Sequence, residues 1–213
     1  MKPVAAPIGF FVFGDPINGS LNPDSGDKEW FSMVKYPVAD AKPLMAAINE
    51  IHEEALKTKP NWPKKINDVH IPMKPDRIKN EDGSYTENPD NVVFSYKRKG
   101  TFMNKLGEKK ENTAPRLFAS NSHALTPEQT PSQIGRNSRV KMFFEPFAWQ
   151  TKSGNKCGIQ FKLWGVQIVE LEEDTVEIAP VEGGWVPTVE VETTMEGTLS
   201  PSEDELAAML ASA

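Results

Sequence analysis

No lysine or arginine follows Lys162. All 24 basic residues stand at or before it beside 18 acids, while Leu163 to Ala213 holds 12 acids and no base. The formal charge of −6 therefore divides into a body near +6 and an arm near −12. Such a split points to contact between the body and a nucleic acid, with the arm as a self-screening or partner-binding element; a merely solvated acidic end is the plainer alternative.

Other scarcities narrow the field. Cys157 is the one cysteine, which excludes an intrachain disulfide and a cysteine-framed structural zinc site. Long apolar runs are missing too. The opening MKPVAAPIGFFVFGDPINGS is interrupted by Pro7, Gly9, Gly14 and Asp15, too short and too broken for a secretory signal or a membrane span. The expectation is a cytoplasmic protein with no membrane partner. The three histidines, His52, His70 and His123, are far apart and bring no second metal-ligand spacing. Phosphate loops, nucleotide-binding glycine runs and nucleophile elbows are all lacking. Neither catalysis nor a cofactor nor a metal is expected.

What is present is mainly strand. IGFFVFGDPI (8–17) and EWFSMVKYPV (29–38) alternate as strands, with turn chemistry between them. From Asp40 the period becomes helical: Asp40 is placed to cap, Pro43 sits in the first turn, and Leu44, Ile48, Ile51 and Leu56 fall near one face until Lys59-Pro60. Residues 60–90, rich in Pro, Asn and Asp, read as long surface connections. Strands return at NVVFSYKRKG (91–100) and SRVKMFFEPFAW (138–149), and TKSGNKCG joins the latter to GIQFKLWGVQIVEL (158–171) as a hairpin. The pattern fits a mainly β fold with one helix, a five-stranded antiparallel oligonucleotide-binding (OB) barrel with long loops over 1–171; an open sandwich fits nearly as well. Residues 172–213 read as an acidic flexible tail. Near its end Ser202 and Glu205 have capping-box spacing, and Leu206, Met209 and Leu210 share one face of a short helix.

Basic and aromatic residues interleave on the strands. Alternation puts Lys141, Phe143 and Glu145 opposite Val140, Met142 and Phe144, and Gln160, Lys162 and Trp164 opposite Ile159, Phe161 and Leu163. Tyr96, Lys97, Arg98, Lys99 and Phe102 lead the densest basic-aromatic run, which continues through Lys105, Lys109 and Lys110. Lys152 and Lys156 flank from the hairpin tip, and Trp30, Lys35 and Tyr36 repeat the combination. Rings that stack on bases, with ammonium groups tracking phosphates, are what sequence-tolerant single-strand binding requires. The alternative for each ring singly is a place in the core.

In the order of these parts the chain resembles the phage-encoded single-stranded DNA-binding proteins with an OB fold. EWFSMVKYPVADAKPLMAAINEIHEEA is similar to their strand and helix, APRLFASNSHALTPEQ to the connection before the late strands, and NSRVKMFFEPFAW with GIQFKLWGVQIVEL to the closing hairpin. The resemblance implies a non-enzymatic protein that coats single-stranded DNA in phage replication and recombination. It also implies an acidic tail that recruits replisome partners such as polymerase, helicase or primase. Double-stranded DNA is a weaker expected partner, and a homodimer is compatible with this reading. No aromatic follows Trp185, so Leu206, Met209 and Leu210 stand as the tail's apolar anchors. A structural or assembly protein of a phage particle is the competing reading.

Overall fold

The computed structural model describes residues 3–23, 26–104, 106–151, 153–154 and 156–172. Lys105, Lys152 and the tail from 173 onward, with Leu206, Met209 and Leu210, lie outside them. Nine strands are described: β1 (Val4–Leu21), β2 (Lys28–Pro37), β3 (Met73–Lys79), β4 (Tyr85–Lys99), β5 (Thr101–Met103), β6 (Lys109–Glu111), β7 (Arg116–Phe118), β8 (Arg139–Gln150) and β9 (Cys157–Glu170). One α-helix is described, α1 (Lys42–Thr58), between β2 and β3.

The large sheet runs β3-β4-β2-β1-β8-β9-β7, and a further parallel pairing of β4 with β9 brings its two sides together. The five long strands thus curl into the expected OB-type barrel, joined along a seam at Tyr96↔Phe161 and Lys97↔Lys162. β1 is one of the strands that bends, its pairing with β2 shifting between Phe11 and Phe13 and again between Asp15 and Ser20. Gly9 and Gly14 make this bend possible. A Cβ on Gly9 would sit 2.5 Å from the Tyr36 ring, and Gly14 takes φ 128° directly against the Phe31 carbonyl.

Strand alternation fills the barrel. Val34, Phe94, Val140, Met142, Phe144, Phe161 and Leu163 are fully buried, and the Phe144 and Phe161 rings lie 4.2 Å apart centre to centre. Tyr36 and Tyr96 join this core, their hydroxyls bonded to each other at 2.9 Å, and burial pushes both phenols well above their ordinary pKa. Helix α1 packs on β8, β1 and β9 through Leu44, Ile48, Ile51 and Ala55. Its N-cap is the buried Ala41 instead of Asp40, and no side chain caps it.

One further expectation needs correction. The stretch 60–90 is not all connection: it contains β3 and the start of β4, paired from Asp76↔Asn88 to Lys79↔Tyr85. Pro75 hides the strand in the sequence, yet β3 is an edge strand, where a missing N–H costs no ladder bond. The short strands β5 and β6 form their own two-stranded hairpin.

Candidate nucleic-acid interface

Paired residues of an antiparallel ladder share a face. Opposite the core, β2 and β4 therefore present Phe31 beside Lys97 and Met33 beside Ser95, while β9 presents Gln160, Lys162 and Trp164. The β5–β6 hairpin rises beside this surface. It is anchored where Gly100 N–H donates to the Lys28 carbonyl at 2.6 Å and where Lys109 meets Asp27 at 2.8 Å. Between them opens a groove of about 670 Å³, lined by Lys97, Lys99, Lys109 and Lys162 with Phe102, Met103 and Phe147.

Carboxylates hold three of those four ammonium groups in place. Lys97 pairs with Glu29 at 3.3 Å, Lys109 with Asp27, and Lys162 with Glu145 at 4.0 Å. The hydrogen bond from Lys109 keeps the Asp27 carboxyl below the usual carboxylate range. Lys97 also lies 5.0 Å from the centre of the Phe31 ring. The Lys109 and Lys162 pairs are partly exposed and weak, so a phosphate can take the place of either acid at small cost, whereas Glu29 is buried and also accepts from Asn22 Nδ2.

Trp164 stands at one end of the groove, 37% exposed. Its indole N–H donates to Glu145 Oε2 at 3.2 Å, and the Arg98 guanidinium lies 4.9 Å from its ring centre. Beyond it Pro3, Arg116, Phe118 and Phe143 line a depression of about 320 Å³. At the other end, sharing Lys97 with the groove, Phe31, Met33, Met73 and Lys74 line one of about 200 Å³. Together these make one basic and aromatic band across β2, β4, β9 and β7.

The structure gathers Lys97, Lys99, Phe102, Lys162 and Trp164 around this band, and Phe143 beside it. It removes others. Trp30, Tyr36 and Tyr96 are core residues, 4%, 0% and 0% exposed, so none of them offers a ring face to a base. Arg98 is 5% exposed and points inward, donating to the carbonyls of Thr113 and Leu163. Lys35 and Lys141 lie half-buried on the wall formed by β2, β1 and β8. Lys156 is exposed in the β8–β9 turn, outside the groove lining. Phe31, Met33, Lys74, Met103, Arg116 and Phe118 belong to the band and were not singled out from sequence. For Phe31 and Met33 the signal was available, because they alternate with the core residues Trp30, Ser32 and Val34.

His52 is structural: its Nδ1 accepts from the Trp62 indole at 3.0 Å. Among the described residues, no group of three or more His, Cys, Asp and Glu is placed to hold a metal ion. No helix among them is long and apolar enough to cross a membrane.

Barrel, helix and band together define a mainly β, OB-type fold with a cationic, aromatic outer face. The sequence matches no protein-family model and no curated protein sequence. Solved structures share the fold. One is gp2.5, a single-stranded DNA-binding protein encoded by bacteriophage T7, at 19% identity and TM-score 0.54, covering 85% of this chain and 99% of that one. Another is the single-stranded DNA-binding protein of bacteriophage Enc34 in complex with single-stranded DNA, at 14% identity and TM-score 0.56, covering 81% and 88%.

Proposed function

We propose that this chain binds single-stranded DNA without sequence preference and coats it during phage DNA replication or recombination. The observation that carries this reading is the groove in which Lys97, Lys99, Lys109 and Lys162 surround exposed ring and thioether surface, with Trp164 at its end. Ammonium groups attract the phosphates and the rings accept any base, because every base has a π-face. The Enc34 protein, which shares the fold, was solved holding single-stranded DNA, and this supports the same class of ligand here. A duplex keeps its bases stacked inward and gains only the phosphate contacts, so it binds more weakly.

The arm beyond Glu172 carries ten further acids and no base. Tethered to a cationic surface it acts at high effective concentration, on the order of millimolar for a flexible link, and competes with DNA for the groove. Displaced by DNA, it is free to engage replisome proteins, with Leu206, Met209 and Leu210 as apolar anchors. The working location is the cytoplasm of the infected cell.

The test is a titration of intrinsic tryptophan fluorescence with single- and double-stranded oligonucleotides over a range of salt. Three to five phosphate contacts give a log–log slope of roughly −2 to −3.5 on single strands. Equal affinity for duplex, or no dependence on salt, overturns the reading.

A further inference from the structure

The wall of the barrel next to the groove repeats its chemistry. On β1, Ile8, Phe10 and Phe13 are 41%, 38% and 62% exposed, unusual for large apolar residues on the outer face of a barrel strand. The cross-strand neighbours of Ile8 and Phe10 are cations, while Phe13 faces Met33. Phe10 pairs with Lys35 on β2 and with Arg139 on β8, and Ile8 pairs with Lys141. Glu170 engages Arg139 at 2.8 Å, which leaves Lys35 and Lys141 as the cations flanking the rings.

This wall is continuous with the band at both ends. At one, the Phe13 ring meets Phe31 edge-on at 6.4 Å between centres, and Phe31 lies beneath Lys97. At the other, Phe143, two residues along β8 from Lys141, meets Phe118 at 5.7 Å and lines the depression that holds Trp164. Rings and ammonium groups thus encircle the barrel. We propose that the β1–β8 wall is a second track for single-stranded nucleic acid, and that a strand long enough to leave the groove wraps the barrel over Ile8, Phe10, Phe13, Lys35, Lys141 and Phe143.

A lone apolar stripe would suit a protein partner equally well. Here each exposed apolar residue at the centre of the stripe is matched in register by a cation, and the stripe joins a surface of the same chemistry on both sides. Those two features favour a polyanion with flat apolar faces. The inference rests on the single-strand reading above and extends the ligand's path.

The experiment uses the full chain with oligothymidylates of about 8 and about 30 residues, bracketing the usual span of one OB fold. Affinity is measured at one-to-one stoichiometry, and energy transfer between dyes on the two ends of the longer strand reports wrapping. The expected result is tighter binding of the longer strand, with its ends drawn together. Phe13→Ala with Lys141→Ala should leave the short strand's affinity unchanged, cost the long strand about tenfold, and release its ends. Lys141→Glu alone, a charge reversal on the same wall, should act in the same direction. Failure of the wild-type protein to bind even the short strand would sink the single-strand reading itself. Short-strand binding with no gain from length and no approach of the ends would overturn the second track alone. So would substitutions that spare long-strand binding and instead shift the sedimentation of the free protein, marking the wall as a contact between copies.

Discussion

Arg98 lies beneath Trp164, its guanidinium 4.9 Å from the centre of the indole ring. From β4 it reaches across the seam to the Leu163 carbonyl of β9 at 3.2 Å, and its Nε and Nη2 donate to the Thr113 carbonyl and hydroxyl. One buried cation therefore fixes an exposed ring from below and ties two strands that share only two paired residues. The planar fork of arginine does both at once; the point charge of lysine does not.

Trp164→Ala should weaken single-strand binding by about 1–3 kcal/mol, the worth of one stacked base. Thermal melting should move little, because the ring is more than a third exposed. A large fall in melting temperature with unchanged affinity in the folded fraction would make Trp164 a packing residue.

Arg98→Lys should lower folding stability by about 1–3 kcal/mol, since the Thr113 and Leu163 carbonyls lose buried donors. Affinity should fall as well, but by less than in Trp164→Ala. Denaturant midpoints read beside oligonucleotide titrations separate the two effects.

Glu145→Gln should tighten DNA binding. The carboxylate opposes a phosphate at Lys162, and the amide oxygen still accepts the Trp164 indole N–H. The gain expected is that of one exposed ion pair, about 0.2–1 kcal/mol, greatest at low salt. Weaker binding would mean that Glu145 serves chiefly to position the ring.

Tyr96→Phe should destabilise the fold by about 1–3 kcal/mol, because the Tyr36 hydroxyl is buried and loses its partner. Binding by the folded fraction should be unaffected. Loss of affinity at full stability would return Tyr96 to the interface.

Removing residues 173–213 takes away ten acids and should tighten single-strand binding at low salt, with the advantage shrinking as ionic strength rises. Pull-down of replisome proteins by the full chain and by Leu206→Ala with Leu210→Ala tests the tail's second role. Equal DNA affinity of the full and truncated chains removes the competition.

Much of the barrel was legible because its late strands alternate cleanly. The division of β8 and β9 into core and outer faces follows from sequence, and Val140, Met142, Phe144, Ile159, Phe161 and Leu163 are buried as expected. The interface was harder, because composition was read where parity decides. Tyr96 and Arg98 stand on the opposite face of β4 from Lys97 and Lys99, so one strand could never present all four. Trp30 and Tyr36 likewise oppose Lys35 on β2. The strands β5, β6 and β7 span three residues each and are set by long-range pairing, leaving no period to read.

The seam at Tyr96↔Phe161 and Lys97↔Lys162 is two residues long, against twelve paired residues between β8 and β9. Its outer pair, Lys97 and Lys162, lines the groove. Under the proposed function, a phosphodiester lying there would touch both edges of the join and act as a clasp on the barrel, linking occupancy to closure. DNA that binds only the closed form raises the melting temperature by mass action. Amides beside the seam should be the first to gain hydrogen-exchange protection when DNA arrives.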